Sequence, residues 1–297
     1  MKCGGRIGTE ITSQINTGRQ MLNQVIGSFR IDRELGVGGM GVVYLATHLD
    51  SGRHVALKVL SEDRVQSTQV GQRFEREVSI LKKLRHKNVV RYYGGGVYDG
   101  QRYCVMEVLD GGTLEDFLNQ RNRRLTWEQA VDVGTQVCAA LQHAHQHDVI
   151  HRDLKPGNLF LNQRGQLKLG DFGIARDTTM EGMTLAGRTV GTYAYMAPEQ
   201  IEGSPPVSGK TDLYALGCVL YEVLTGRTPF LAETPAEMLI RHVQDQPRPV
   251  SELAADCPGR LQQVIDKLLA KAPADRYDDA VAVLLELQQI PGKVTSP

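Results

Sequence analysis

The chain has 297 residues, enough for about two domains. Its 34 basic residues balance 34 acidic ones, and 41% of the residues are hydrophobic, as in ordinary soluble globular proteins. A neutral chain has no overall attraction to nucleic acid or to an anionic membrane, and no stretch approaches the roughly 18 apolar residues of a membrane helix. We therefore expect a soluble protein that binds no nucleic acid.

The five cysteines are scattered and contain no CxxC pair. This pattern argues against a disulfide framework or a zinc site and favours a reducing compartment. Lys2 and Arg6 are not followed by an apolar segment, so the sequence predicts no signal peptide and a cytoplasmic location.

Residues 1–27 favour a mobile tail, although Ile7, Ile11 and Ile15 could share one face of a short amphipathic helix. Residues 28–108 alternate in the manner of a small sheet. The predicted strands are Phe29–Leu35, Val42–Thr47, His54–Leu60, Val89–Tyr93 and Arg102–Val108. One helix is expected among them, at Gln72–Leu84.

Residues 109–290 are mainly helical in character, and residues 291–297 read as a tail. The predicted helices are Leu114–Asn119, Thr126–His147, Asp212–Thr225, Pro235–Gln244 and Leu261–Lys271. Leu159–Leu161 and Gln166–Leu169 predict a short hairpin. The expected fold class is α+β: a small antiparallel sheet lobe with one main helix, followed by a larger helical lobe.

Two motifs in the first lobe are consistent with phosphate binding. Gly36–Gly41 reads GVGGMG, and glycines let backbone N–H groups approach phosphates closely. The motif leads into a β-branched segment, which indicates a hairpin; alone, it is compatible with an ordinary glycine-rich turn. Lys58 lies in an apolar strand, where a lysine is costly unless it is paired. Lys58 is either a lysine at the sheet edge that reaches solvent, or a lysine held between phosphates and a carboxylate. Glu77 is the best candidate for that carboxylate.

Two further motifs carry oxygen ligands and a candidate base. They are HRDLKPGN at His151–Asn158 and DFG at Asp171–Gly173. The hairpin between them could bring Asp153, Asn158 and Asp171 together. Asn158 and Asp171 suit a hard ion such as Mg²⁺, which leaves Asp153 to accept a hydroxyl proton. Read singly, each residue could belong to a surface turn.

Together with Ala197-Pro198-Glu199, these motifs resemble the eukaryotic-type protein kinase family in identity and in order. The resemblance covers about Phe29 to Gln289, and the GGMG loop, the PGN variant and MAPEQ resemble bacterial members. It implies a two-lobed kinase fold. It also implies an enzyme that transfers the γ-phosphoryl group of ATP to serine or threonine hydroxyls of protein substrates. Lys155 within the loop and Thr192 are typical of that serine/threonine branch.

The resemblance also implies a role for each motif position. Those that cover the phosphates of ATP are Gly36, Val37, Gly38, Gly39 and Gly41. Around the adenine, Val43 and Ala56 would form the roof of the pocket and Phe160 its floor. Met106 would be the gatekeeper. Glu107 and Val108 would be the connector whose backbone binds the adenine edge.

The catalytic assignments follow in the same way. Lys58 and Glu77 would form the activating ion pair. Asp153 would be the catalytic base, and Lys155 would contact the moving phosphoryl group. The Mg²⁺ ligands would be Asn158 and Asp171.

Two structural supports are implied as well: an ion pair of Arg276 with Glu199, and Asp212 supporting the catalytic loop. His143 and His147 share a helix face, for which a structural role is favoured over metal binding.

Regulation is predicted from the segment after DFG. It contains Thr178, Thr179, Thr184 and Thr189. We expect Thr184, Thr189 or both to be autophosphorylated, because the guanidiniums of Arg152 and Arg176 could bind a phosphate and order the loop. Exposed loop threonines without this role are the alternative.

Three alternatives stay open. The chain could be an ATP-binding pseudokinase or scaffold module, although Lys58, Asp153 and Asp171 are all present, and it could be a small-molecule kinase of related fold. Homodimerisation through the small lobe is compatible with the family resemblance, but composition does not support it.

Overall fold

The computed structural model of the chain describes residues 21–38, 41–60, 78–120, 124–172 and 190–290. Backbone contacts divide them into two compact units. The β-rich unit holds the described residues up to Lys83 together with Arg91–Val108. The helical unit holds Leu84–Val90 and the described residues from Leu109 onward.

The β-rich unit is built on a six-stranded antiparallel sheet. Its strands are β1 (Val25–Ile26), β2 (Phe29–Gly38), β3 (Gly41–His48), β4 (His54–Leu60), β5 (Tyr92–Tyr98) and β6 (Gln101–Met106). They lie in the order β1-β2-β3-β4-β6-β5, so β4 is an interior strand. This position explains why β4 is buried at every residue from Val55 to Leu60 instead of alternating.

The turn into β3 depends on a glycine. Gly41 has φ +139°, a conformation that L side chains rarely adopt. A Cβ built at this position would lie 2.0 Å from the carbonyl oxygen of Val59 on β4. The glycine therefore lets the end of β2–β3 lie directly against β4.

The helical unit contains eight α-helices among its described residues. They are α1 (Leu114–Gln120), α2 (Trp127–His145), α3 (Val190–Tyr193), α4 (Pro198–Glu202), α5 (Gly209–Thr225), α6 (Pro235–Gln244), α7 (Gly259–Leu268) and α8 (Ala280–Gln288). The long helix α5 is buried from Thr211 to Thr225 and packs against α2 and α7, and α8 also packs against α2. An antiparallel hairpin of β7 (Leu159–Leu161) and β8 (Leu167–Leu169) packs on α2.

Local signals set the starts of the two long helices. Thr126 caps α2 in a reciprocal box: its side chain accepts from the N–H of Gln129, whose side chain accepts from the N–H of Thr126. Ser208 caps α5 by accepting from the N–H of Lys210.

Several predicted elements are confirmed and several boundaries are wrong. The helix Pro235–Gln244 is confirmed at both ends. The predicted helix Gln72–Leu84 lies partly outside the described residues; within them it is helical at 78–81 and ends before Leu84. Helices α5 and α7 begin earlier than predicted, and α3, α4 and α8 were not predicted.

The predicted strand Val89–Tyr93 is also wrong in position. Strand β5 runs from Tyr92 to Tyr98, through three glycines that disfavour strands on propensity. Val89 instead forms a parallel bridge with Leu169, and the N–H of Val90 donates to the carbonyl of Leu169. Tertiary pairing therefore overrides local preference at this point.

Within the described ranges, we find no helix with the length and apolar character needed to span a membrane.

Candidate active site

Five candidate ligand-contacting residues of the β-rich unit share one face of its sheet. Gly36 is directly opposite Val43, and Val43 is opposite Lys58. Ala56 lies two residues before Lys58 on β4 and is opposite Met106 on β6. Directly opposite residues, and residues two apart on one strand, point to the same face. The register therefore places all five on the same face.

The other face of this sheet is the hydrophobic core of the unit. Tyr44, Leu57, Val59 and Val105 belong to one buried cluster there. Lys58 is only 9% exposed, although its face is not that of the core cluster. A buried ammonium is costly unless it interacts with compensating groups, which is the situation expected of a ligand-binding lysine.

Val37 is predicted with the phosphate-covering glycines, but its side chain points elsewhere. It is opposite Val42, which packs against the core cluster, and it is 72% exposed. Any contact of Val37 with phosphate therefore has to come from its backbone. Gly38 is opposite Gly41 at the tip of the β2–β3 pair.

The connector residue Glu107 makes two hydrogen bonds with Arg91. Its N–H donates to the carbonyl of Arg91 at 2.9 Å, and its Oε1 accepts from the N–H of Arg91 at 2.8 Å. The N–H of Glu107 is therefore engaged within the β-rich unit. Val108 follows it as the last residue of this unit.

In the helical unit, Asp212 holds the backbone of the predicted catalytic loop. Its Oδ2 accepts from the N–H of His151 and its Oδ1 from the N–H of Arg152, both at 2.8 Å. The ring of His145 contacts Oδ2, also at 2.8 Å. Arg152 has φ +64°, in the left-handed region that a non-glycine residue rarely occupies. The prediction that Asp212 supports this loop is confirmed.

His151 links the loop to the DFG segment, a role that the sequence analysis missed. Its Nδ1 accepts from the N–H of Asp153 at 3.2 Å, so its proton lies on Nε2, which donates to the carbonyl of Gly170 at 2.8 Å. The ring also packs against Phe172, with centroids 4.7 Å apart. The available signal was a histidine immediately before Arg-Asp, two residues from the candidate base.

The structure brings Asp153, Lys155 and Asn158 together. The amide nitrogen of Asn158 donates to the carbonyl of Asp153 at 2.7 Å and to its Oδ2 at 3.2 Å. Lys155 Nζ lies 3.5 Å from the same Oδ2. Because the amide nitrogen points to Asp153, the amide oxygen of Asn158 points away from it and is available as a ligand for a hard cation.

Asp171 and Phe160 come close to this group through Gly170. The N–H of Gly170 donates to the carbonyl of Asn158 at 3.0 Å, and Asp171 follows with φ +51°. Phe160 lies on β7 against Gly170, where an added Cβ would meet its ring at 2.8 Å. The donor set offered by Asn158 and Asp171 is thus all oxygen and fits Mg²⁺.

Some predicted residues lie outside the described residues. They are Glu77, Gly39, Met40, Gly173, Arg176, Thr178, Thr179, Thr184 and Thr189.

The predicted ion pair of Arg276 with Glu199 is confirmed. The guanidinium binds the carboxylate through two bonds of 2.8 and 2.9 Å. Pairs of this geometry are directional and fix the relative position of the two segments that carry them.

The histidines of α2 have structural contacts. His143 Nε2 accepts from the N–H of Arg85 at 3.2 Å, and its ring stacks on His86 with centroids 5.2 Å apart. His147 donates from Nδ1 to the carbonyl of His143. These rings tie the Leu84–Val90 segment to α2 within the helical unit.

A glycine hairpin with a buried strand lysine, and an HRD loop held next to DFG by hydrogen bonds, are the marks of a protein kinase. The chain belongs to the protein kinase domain family, whose match covers residues 29–286. This confirms the resemblance noted from the motifs.

Its relatives are serine/threonine-protein kinases of bacteria. It is 42% identical to Pkn1 of Myxococcus xanthus over 88% of this chain and 38% of the relative. It is 37% identical to PknB of Mycolicibacterium smegmatis, over 88% of this chain and 43% of the relative. The chain thus spans about two fifths of the length of the curated relatives it matches.

The expected fold is confirmed by a solved structure. The PknI kinase domain of Mycobacterium tuberculosis matches with a TM-score of 0.72 and 28% identity, covering 90% of this chain and 97% of that one.

Proposed function

We propose that this domain transfers the γ-phosphoryl group of ATP to serine or threonine hydroxyls of protein substrates. The observation that carries the proposal is the Asp153–Lys155–Asn158 group, held on the loop that Asp212 and His151 fix. Phosphoryl transfer demands mainly positioning and charge stabilisation, which such a rigid polar group supplies.

The β-rich unit contributes the nucleotide-binding residues in this proposal. Backbone N–H groups of the glycine hairpin bind the phosphates, and Lys58 binds the α- and β-phosphates with Glu77 as its partner. Val43, Ala56 and Met106 contact the adenine. The N–H of Glu107 already donates to Arg91, so Glu107 reaches the adenine edge through its carbonyl, with the backbone of Val108 beside it.

The helical unit contributes the transfer residues. Asp153 accepts the proton of the incoming hydroxyl, and its carboxylate is held in orientation by the amide of Asn158. Lys155 stabilises charge on the phosphoryl group as it moves. Phe160 packs against the adenine.

Asn158 and Asp171 would hold Mg²⁺. A bound Mg²⁺ neutralises the phosphate charge. The fit rests on the all-oxygen donor set and on the amide of Asn158, whose nitrogen is committed to Asp153.

Regulation by autophosphorylation belongs to the same proposal. Phosphate on Thr184 or Thr189 would bind Arg152 and Arg176. Phosphosite mapping of active protein tests this, and fully active protein with an unmodified segment contradicts it.

The experiment that tests the function is transfer of labelled γ-phosphate from ATP, with Mg²⁺, to the domain and to a generic basic protein. Asp153→Asn keeps the shape of the side chain but removes the base, and we expect transfer to fall by about 100-fold or more. Asp256→Asn makes the same change at an exposed carboxylate and serves as the matched control.

The outcomes separate the alternatives. Label on serine or threonine that is lost in Asp153→Asn and retained in Asp256→Asn supports the kinase. Equal labelling of wild type and Asp153→Asn contradicts the assigned base. ATP binding without transfer in any variant supports the pseudokinase.

A further inference from the structure

His242 on α6 is a fully buried histidine, with 0% of its surface exposed. Its Nδ1 lies 2.9 Å from the hydroxyl of Tyr214 on α5. The ring also packs edge-on against Phe230, with centroids 5.0 Å apart. The imidazole is therefore held in one orientation by side chains that lie outside its own helix.

The second ring nitrogen of His242 lacks a close partner. Burial lowers the pKa of His242 to about 3, and the positive charge of Lys271 acts in the same direction, so the ring is neutral near pH 7. A neutral imidazole carries one N–H. Because a phenol is a better donor than acceptor, we assign the Tyr214 hydroxyl as the donor to Nδ1, which places the proton on Nε2. Nε2 has no hydrogen-bond partner of ordinary geometry among the described residues.

The backbone of Ala194 is the acceptor available to this N–H. It acts on the imidazole and favours the charged ring, as a carbonyl oxygen beside a ring nitrogen does. Ala194 directly follows α3, which packs against α6. Ala194 and Tyr193 also share a buried apolar cluster with Met238 of α6 and with Phe230. The inner face of α6 thus supports the segment that follows α3.

This segment, residues 193–197, ends beside the catalytic loop. The side-chain amide of Gln200 donates to the carbonyl of Arg152 at 3.2 Å and accepts from the N–H of Ala197 at 3.0 Å. Arg152 immediately precedes Asp153. The segment is therefore part of the surface that a protein substrate meets when its hydroxyl reaches Asp153.

We propose that His242 is a positioning residue for the protein substrate: its ring, fixed by Tyr214 and Phe230, holds residues 193–197 in the conformation that receives the chain around the target hydroxyl. This inference rests on the proposed function. Because Nε2 has no close acceptor in the present arrangement, its bond to the Ala194 carbonyl forms as the substrate binds to the segment. His242 acts through this segment and not on the reacting atoms.

The expected effect falls on the binding of the protein substrate. An interaction that orders the docking segment equally in the ground state and the transition state changes KM and leaves kcat unchanged. The KM for ATP should not depend on this segment. A change confined to the KM of the protein substrate is therefore the signature of the positioning role.

The test measures kcat and KM with labelled ATP and the generic basic protein as substrate. His242→Phe keeps a flat ring but removes both nitrogens. It should raise the KM for the basic protein about three- to tenfold, with kcat and the KM for ATP changed less than about twofold. His242→Gln restores an N–H near the position of Nε2 and should bring the KM for the basic protein back to within about twofold of wild type. An unchanged KM in His242→Phe, or no rescue by His242→Gln, overturns the proposal.

A matched control separates positioning from stability. Val264→Ala removes two methyl groups from a buried residue of α7, which packs against α5. It should lower the stability to urea and change neither KM, with all variants assayed under conditions in which circular dichroism shows them folded. If Val264→Ala raises the KM for the basic protein as much as His242→Phe does, the effect is one of stability and the proposal is overturned.

Tyr214→Phe keeps the test decisive if His242→Phe does not fold. It removes only the hydroxyl that fixes the imidazole and keeps the ring on which Arg276 lies. It should raise the KM for the basic protein about two- to fivefold, and an unchanged KM overturns the proposal. Wild type that transfers no label contradicts both the kinase and this inference. Wild type that transfers label, with a protein KM insensitive to both substitutions, contradicts only the role of His242.

Discussion

Arg276 and Glu199 form a buried ion pair in which every guanidinium N–H has an acceptor. Two N–H groups bind Glu199, and the other three donate to the carbonyls of Ala270, Lys210 and Lys271. The two side chains are 0% and 1% exposed. Thr211 donates a further bond to the carboxylate. The pair thus joins α4, the start of α5 and the segment after α7.

Arg276→Met should lower the free energy of unfolding by about 3–5 kcal/mol, because it leaves the Glu199 carboxylate buried without its cation. Urea unfolding measures this. Arg260→Met is the matched control, since Arg260 pairs with Glu286 at 3.0 Å on the surface, where pairs contribute about 0–1 kcal/mol. Equal losses in the two variants would mean that burial does not set the strength of the Arg276 pair.

Asp212→Asn should disturb the catalytic loop through its backbone. The Oδ1 and Oδ2 atoms of Asp212 both accept from backbone N–H groups, so an amide NH₂ must face one of these donors. We expect a loss of about 1–3 kcal/mol in stability and about tenfold or more in phosphoryl transfer. Urea unfolding and labelled ATP measure the two effects. Asp256→Asn should change neither, and unchanged transfer in Asp212→Asn would contradict the positioning role.

The motifs made the family and the fold class predictable, because kinase chemistry requires rare residue types in a set order. Helix α6 has the bounds that were predicted for it; in the structure Thr234 caps it and Pro235 occupies its first turn. The ion pair of Arg276 with Glu199, which the structure confirms, was predicted from the family resemblance and not from the spacing of the residues.

What the sequence could not predict depends on tertiary contacts. Strand β5 crosses Gly94, Gly95 and Gly96, and local propensity argues against a strand there, yet pairing with β6 holds it. The role of His151 depends on which carbonyl lies beside its Nε2. The face assignment of Val37 depends on strand register, which the hydrophobic pattern around a glycine-rich turn specifies only weakly.

Gly41→Ala should destabilise the β-rich unit, whereas Gly36→Ala should not. The added methyl at Gly41 meets the Val59 carbonyl at 2.0 Å, and φ is +139°; at Gly36 nothing lies within 4 Å. We expect a loss of several kcal/mol, on the order of 3, for Gly41→Ala and less than about 1 for Gly36→Ala. Thermal and urea unfolding measure both, and similar stabilities would show that the backbone at Gly41 relaxes freely.

Acidification should destabilise the helical unit through His86 and His143. Burial lowers the pKa of His86 below its usual 6.5, with further lowering by the positive charges of His143, Lys87 and Lys168; burial and then His147 lower the pKa of His143. Both rings also accept backbone N–H bonds that protonation removes.

The sign follows from these directions. Because the folded pKa values lie below the unfolded ones, the folded state disfavours proton uptake. The stabilisation is complete above about pH 6.5 and is lost as the pH falls from there through the folded pKa values. His143→Gln can still accept from the N–H of Arg85 but does not titrate, so its unfolding free energy should fall less between about pH 7 and pH 5 than that of wild type. Urea unfolding across this range measures the difference. Gln142→Ala, on the same helix, is the control because it adds no titratable group. Identical slopes in wild type and His143→Gln would place the acid sensitivity elsewhere in the chain.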